Sequence, residues 1–591
     1  MTPWWEEHES WYEHELKCLD HYGYHYDIKA KPDRNGWLIL TIDYQYKEKL
    51  IKLEVQFPVN YPLSAPQITA LNHSLYRHHG GTLNIMCTLA HDANEDTHWI
   101  GWKDTLSGLL NNQVPRVLDY SDKAKSGQSF SEFERKLEAP VGEAQSTFIA
   151  GNKDGGFLIN DWKIPSSEGH GQFTCAISEL HKLKPSITGK DNLFIRGVVT
   201  SIVNNKGTKF SQQKGIIVEA EKGKENKYIT CKWKRAILPP YILSDLDFWK
   251  WFKKENKLSY ERLIKKAKKK SISVMAMLLT EEVKQGESGE RWLFLTFHYD
   301  KYVLYKSVSI GHSMSDDEIY SRTPELLPLQ EKSAVLIGLG SIGSPIAIHL
   351  ARAGIGTLYL IDKDIVTPGN TVRWALGLSA FGKHKAIALK EYINAQYPKC
   401  KVVAWPLNVG SVEVTANQQA DFENIINKAD IVIDASASLE LNYYLGTICH
   451  NRDKDFVWGS TTEGGYGGIV GRVRPNVIQA THHDYCNLVH KGTIKTPNYK
   501  KSDQVVPAGC LTPTFTGAGI DCEQIGLLMS RLAISTMSPT QENSYPDYDW
   551  DVAVINLRDT NGNSAILPTS ETYTLDSLIN VSNKHENLAG K

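Results

Sequence analysis

The sequence predicts a multidomain chain of mixed class, α/β toward its carboxyl end and α+β before it, and three observations predict this. At 591 residues the chain is too long for one hydrophobic core and implies at least three domains. In Ser333–Leu350, SAVLIGLGSIGSPIAIHL, a short apolar run enters a glycine loop and leaves it as a helical pattern. Near the amino terminus, alternating apolar segments lead into a loop stiffened by three prolines, Phe57–Pro66. The boundaries that follow are 1–122, 123–315 and 316–591.

In the first region, Trp4–Tyr22 has the pattern of an amphipathic helix, and Trp37–Tyr46 and Leu50–Phe57 alternate as strands. The proline loop comes next, then Leu83–Leu89 with Cys87 inside it, then Trp99 and Trp102 on an expected helix. Taken alone, Cys87 reads as a small buried residue. His73, His78, His79, His91 and His98 surround it without the matched spacing of a metal site. Strand, FPxxYPxxxP loop, cysteine, tryptophan and helix, in this order, resemble the ubiquitin-conjugating (E2-type) fold over residues 5–120. That resemblance implies a catalytic, acyl-carrying role for Cys87. The HPN tripeptide of eukaryotic members is missing; His78-His79-Gly80-Gly81 lies near its position, and Asn84 is the nearby amide.

The second region opens with a polar stretch, Ser121–Lys136, read as a linker. Strand-like runs follow at Phe157–Asn160, Asn192–Ile202, Gly215–Glu219, Lys227–Trp233 and Trp292–Tyr299, with the basic run Lys253–Lys270 on a helix between them. A solvated helix face explains those lysines better than a nucleic-acid patch. The region carries no recognisable chemistry and is expected to be an α+β connector or a partner-docking domain.

The third region holds the glycine loop Gly338-Leu339-Gly340-Ser341-Ile342-Gly343, a helical pattern from Pro345 and a second apolar run, Thr357–Ile361, ending on Asp362. Glycines let a phosphate approach the backbone, and a helix start offers free N–H groups. Asp362, 19 residues after Gly343, is placed to accept ribose hydroxyls. Asn370, Arg373 and Lys385 follow in DKDIVTPGNTVRWALGLSAFGKHKA. Hydride transfer has no use for these groups, whereas splitting ATP between its α- and β-phosphates requires charge on the leaving pyrophosphate. The pattern GxGxxG…D…NxxR…GxxK, from Glu318 to the mid-500s, resembles the adenylating domain of the ThiF/MoeB and ubiquitin-activating (E1-type) family. The resemblance implies a Rossmann-like fold with Gly338, Gly340, Gly343, Asp362, Asn370, Arg373 and Lys385 about ATP, and Mg2+ held by Asp434 at the end of Asp430–Ala437. Ala437 stands where the family has a second acid. The family also implies a homodimer in which Arg322, ahead of the first strand, reaches the partner's ATP.

Cys510 lies in a Gly/Pro/Thr loop before the helical run Ile520–Thr536, a setting that favours thiolate. It resembles the thioester cysteine of activating enzymes that lack zinc, and no CxxC pair occurs anywhere in the chain. Cys522 is expected to be packed, and Cys400, Cys449 and Cys486 have no comparable setting. Two such cysteines and an ATP site imply a relay: adenylate, thioester on Cys510, thioester on Cys87, then attack by a target lysine. With conjugating and activating modules in one chain, the sequence resembles the E2–E1 fusions of CBASS antiphage operons. The donor this implies is the C-terminus of a cGAS-like nucleotidyltransferase (CD-NTase). A bacterial ubiquitin-like modifier is the alternative donor. A sulfur-carrier adenylyltransferase, a nicotinamide-dependent oxidoreductase and a non-catalytic nucleotide-binding scaffold are the competing readings.

Lys+Arg 66 against Asp+Glu 67 points to neither a nucleic-acid nor a membrane partner. With no apolar run near 18 residues and an acidic, aromatic start, the expectation is a cytoplasmic protein.

Overall fold

The computed structural model describes residues 2–29, 37–75, 85, 86, 88, 99–126, 144–150, 155–183, 192–211, 227–239, 242, 244–284, 287–499, 516–538 and 544–581. Two compact units make up this part of the chain, one ending at His312 and the other beginning at Ser313.

At the amino end the expected single helix is two, Trp4–Glu7 and Glu9–His21, interrupted where His8 adopts φ −125° and ψ 54°. Four strands follow as an antiparallel meander in chain order: β1 (His25–Ile28), β2 (Leu38–Tyr46), β3 (Lys49–Phe57) and β4 (Gln67–Ala70). Ile51, Leu53, Val55 and Phe57 alternate inward along β3 and meet Trp4, Leu19, Leu110, Val114 and Leu118 in one core. Each such side chain contributes roughly 1.5–3 kcal/mol on burial.

Trp99 and Trp102 are not on a helix. Trp102 has φ +65°, and the helical stretch begins only at Leu106, where Thr105 caps it by accepting from the Gly108 N–H at 3.3 Å. Trp99 instead donates its indole N–H to the Pro62 carbonyl at 2.6 Å, fastening the proline loop. The helix Val114–Ser126 runs through the start of the expected linker, so Ser121–Ser126 is helical. Glu15, 1 % exposed, accepts from the Leu106 N–H at 3.0 Å and from the Tyr61 hydroxyl. Burial pushes its carboxyl up to about 7 despite those two bonds.

The middle of the chain is built on a closed barrel. Its strands are β5 (Gly156–Ile159), β6 (His170–Leu183), β7 (Asn192–Asn204), β8 (Lys227–Ala236), β9 (Ile272–Lys284), β10 (Glu287–Asp300) and β11 (Val303–Ser313). They close in the order β10-β11-β5-β7-β6-β8-β9. Four of the expected strand-like runs lie within β5, β7, β8 and β10, apart from Asn160, which falls just past the end of β5; Gly215–Glu219 lies outside the described residues. Along β9, Val274, Ala276 and Leu278 enter one core with Phe157 and Phe294. Met275, Met277 and Leu279 enter another with Phe248 and Phe252 of the helix Asp245–Glu255. The basic run spans that helix and the next, Lys257–Lys270, and most of its lysines are exposed.

From Ser313 on, an eight-stranded sheet organises the chain: β12 (Ser333–Ile337), β13 (Thr357–Ile361), β14 (Lys401–Trp405), β15 (Ile431–Asp434), β16 (Asp455–Thr461), β17 (Gly467–Val473), β18 (Val552–Arg558) and β19 (Ser564–Tyr573). The order is β14-β13-β12-β15-β16-β17-β18-β19, parallel from β14 to β16 and antiparallel beyond. Helices cover both faces, so β12 buries Ala334 and Leu336 in one core and Val335 and Ile337 in the other. This is why its sequence is an unbroken apolar run. Near the end of the described residues, Leu575 is fully buried, and Asp576 accepts from the N–H groups of Gln479 and Ala480. No helix among the described residues is long and apolar enough to cross a membrane.

Candidate functional site

The carboxyl ends of β12, β13 and β15 lie side by side, with Ile337 in register with Ile361 and with Asp434. The glycine loop therefore leaves the sheet between Asp362 and Asp434, the place where an open parallel sheet offers a crevice.

Two glycines in the loop are dictated by contact. Gly338 has φ +81°, and a Cβ there would sit 2.5 Å from the Ser436 backbone; a Cβ on Gly343 would sit 1.8 Å from the Gly338 carbonyl oxygen. At Gly340 a Cβ would meet nothing within 4 Å, so this glycine faces open space.

The loop is held from behind. Gly338 donates to the Ile361 carbonyl at 3.0 Å, Leu339 N–H to Asp362 Oδ2 at 2.6 Å, and the Trp374 indole N–H to the Leu339 carbonyl at 2.6 Å. Ser344 donates from both N–H and hydroxyl to the Gly340 carbonyl, at 3.0 and 2.8 Å. On the open side, the N–H groups of Gly340, Ser341, Ile342 and Gly343 have no acceptor among the described residues. The last of them begins the helix Gly343–Arg352, whose start has no side-chain cap. N–H groups at the positive end of a helix, without an acceptor among the described residues, are what a phosphate site requires.

Asp362 also accepts from the Asp364 N–H at 2.7 Å. Burial raises its carboxyl above the usual range, and the Lys385 charge and its two backbone donors pull it partly back. Lys385, with its side chain 9 % exposed, pairs with Asp364 Oδ2 at 2.8 Å. Asn370 Oδ1 accepts from the Thr367 N–H at 2.9 Å and its hydroxyl at 3.0 Å, capping the short turn Pro368–Asn370. Arg373 N–H donates to the Asn370 carbonyl at 2.9 Å, and a Cβ on Gly519 would lie 2.9 Å from Arg373 Cα. The site thus gathers Gly338, Gly340, Gly343, Asp362, Asn370, Arg373 and Lys385 onto the glycine loop and the chain segment after β13.

Asp434 is 2 % exposed, and both its oxygens are engaged, by the Ser436 N–H at 2.9 Å and the Asn442 amide at 2.8 Å. Burial raises its carboxyl, with those bonds opposing. Each Asp434 oxygen keeps a lone pair beyond these bonds, but the side chain is almost sealed, and Ala437, at φ +57°, supplies no oxygen beyond its backbone. Among the described residues no group of three His, Cys, Asp or Glu is arranged to hold a metal ion.

Arg322 is exposed. Its segment is fastened to the same unit by Tyr320, which fills the space beside Gly354, and by the Asp316–Lys399 ion pair. Cys87, Cys510, His78-His79-Gly80-Gly81 and Asn84 lie outside the described residues. Cys522 is fully buried in the helix Gly519–Met537. Burial pushes Cys400 up to about 12 and Cys486 up to about 11, and Cys449 higher still, so none of the three is an activated thiol. Trp374 and Ser344 were not expected in the site. Their only signal in the sequence is adjacency, Trp374 to Arg373 and Ser344 to the last loop glycine.

The sheet, loop and helix start define a nucleotide-binding α/β domain. Residues 320–560 match the model of the ThiF family, and the chain belongs to that family. An uncharacterized protein of Sinorhizobium fredii, y4oA, is 35% identical over 318 residues, which are 51% of this chain and 52% of that one. The tRNA threonylcarbamoyladenosine dehydratase of Bacillus subtilis is 30% identical over 201 residues, 33% of this chain and 74% of the enzyme. The adenylyltransferase and sulfurtransferase MOCS3 of Dictyostelium discoideum is 34% identical over 161 residues, 25% of this chain and 36% of that protein. Among solved structures, E. coli MccB with ATP aligns over 42% of this chain and 66% of its own, at 17% identity and a TM-score of 0.31. The chain spans about half the length, or less, of the first relatives it matches.

Proposed function

We propose that this chain adenylates the C-terminus of a donor protein with ATP and Mg2+, carries the acyl group as a thioester on Cys510 and then on Cys87, and delivers it to a target lysine. The observation that carries the first step is the run of N–H groups from Gly340 to Gly343 without an acceptor among the described residues, with Asp362 at one side and Arg373 and Lys385 on the segment that follows. The loop donors fit a phosphate, Asp362 retains lone pairs for a ribose, and Arg373 and Lys385 supply positive charge for the leaving pyrophosphate. A carboxylate joined to AMP becomes a mixed anhydride, reactive enough for a thiol to take the acyl group.

Several features support a conjugating role for the amino end: the helix, the four-stranded meander, the proline loop fastened by Trp99, and the helix after it, all in that order. On this reading the donor is a CD-NTase in an antiphage operon, or a bacterial ubiquitin-like modifier, and the working form is a homodimer. A second reading, a sulfur-carrier adenylyltransferase, is favoured by the likeness to MOCS3 but leaves the amino-terminal unit without a task.

Donor-dependent exchange of pyrophosphate into ATP tests the adenylation step. Lys385→Ala should lower it about 100- to 1,000-fold, as expected when a charged partner of the transition state is lost. Exchange at the wild-type rate in Lys385→Ala would overturn the assignment.

A further inference from the structure

We infer that Trp374 is a positioning residue of the nucleotide site, whose indole N–H sets Arg373 against the glycine loop. The inference rests on the adenylation reading above. Trp374 is 7 % exposed, and its N–H bonds the carbonyl of Leu339, whose own N–H is held by Asp362. The peptide between Leu339 and Gly340 is therefore anchored at its oxygen, just where the run of loop N–H groups from Gly340 to Gly343 begins. A second tie runs beside the first: the Ala375 N–H donates to Ser344 Oγ at 3.2 Å, and Ser344 in turn holds the Gly340 carbonyl.

The loop has other supports in Ile361, Asp362 and Ser344, whereas the bonds that the N–H groups of Asn370, Thr371 and Arg373 make close within the segment itself. On this inference, loss of the indole bond leaves the loop in place and loosens the segment where it meets the loop. Arg373 sits inside that segment, one residue from the tie, with Gly519 closing on its backbone from the far side. A shift of about 1 Å in a charged group is enough to cost two orders of magnitude in a transition state. Loss of this one buried bond should cost less, about tenfold.

The test compares wild type, Trp374→Phe, Arg373→Ala and the double variant, reading the ATP dissociation constant by calorimetry, pyrophosphate exchange and thermal unfolding. Phenylalanine keeps most of the packing and removes the donor. Trp374→Phe should lower exchange about tenfold in the wild-type background and by twofold or less once Arg373 is Ala, because a residue acting through Arg373 has nothing left to position. A purely structural role would multiply the two losses, and that result overturns the inference, as does a Trp374→Phe protein with wild-type binding and exchange. If Trp374→Phe does not fold, Ser344→Ala, which cuts the second tie, is put through the same cycle: a loss that shrinks in the Arg373→Ala background supports the inference, and losses that multiply overturn it. If wild type shows no exchange, the adenylation reading falls, and the ATP dissociation constants alone decide the role of Trp374.

Discussion

Glu15 makes the amino-terminal meander sensitive to pH. Its carboxyl is buried between the Tyr61 hydroxyl and the Leu106 N–H, and its folded value of about 7 lies above the ordinary 4.5. The native state therefore binds a proton that the unfolded chain has released. The associated stability is complete below about pH 4.5 and is lost as the pH rises through about 7. A difference of 2.5 between the two values, at ~1.36 kcal/mol each, makes the loss about 3 kcal/mol. Glu15→Gln cannot titrate. Like the protonated carboxyl, its amide offers one carbonyl oxygen to accept and a donor on the other arm, and the variant lacks this component of the decline. The chain holds more than one unit, so a local probe is needed: hydrogen exchange of peptides from Glu9–His21 and Val114–Ser126 at pH 5 to 8, corrected for intrinsic rates. Protection in wild type should fall by about 2.5 kcal/mol more than in Glu15→Gln across that range, the rest of the loss lying below pH 5. Parallel pH profiles in the two proteins would show that Glu15 does not carry this proton.

The glycines of the loop separate fold from ligand. Gly343→Ala places a methyl 1.8 Å from a backbone oxygen, so the loop must open, and both ATP binding and thermal stability should fall. Gly340→Ala meets no protein atom within 4 Å, so unfolding should be unchanged while calorimetry shows weaker ATP binding. If Arg322 reaches a partner's nucleotide, mixing Arg322→Ala with Asp362→Ala chains should restore part of the exchange activity through one hybrid site. No recovery in mixtures shown to exchange subunits would count against that role.

Much of the carboxyl-terminal architecture is legible because its chemistry is local in sequence. The run Ala334–Ile337, the loop glycines and the run Thr357–Ile361 need only each other to form strand, turn and strand. Observed β12 and β13 match those runs to within a residue. The clamp behind the loop is not legible, because Trp374 and Leu339 are 35 residues apart and a buried tryptophan looks the same whether or not its N–H has a partner. In the barrel, β9 is buried on both faces, so its residues form a continuous apolar run that periodicity does not distinguish from a buried helix. Trp99 and Trp102 were expected on the helix that they only precede: Thr105 caps the helical stretch after both of them.

The measurement that bears most directly on the relay is intact mass spectrometry of Cys510→Ala and Cys87→Ala chains incubated with ATP and donor, with and without dithiothreitol. Both should retain pyrophosphate exchange, since adenylation uses neither thiol. Cys510→Ala should carry no thioester at all, and Cys87→Ala should carry one that dithiothreitol removes while forming no isopeptide product. Full yields of isopeptide product from Cys87→Ala would contradict the account, because the amino-terminal unit would then not be the carrier.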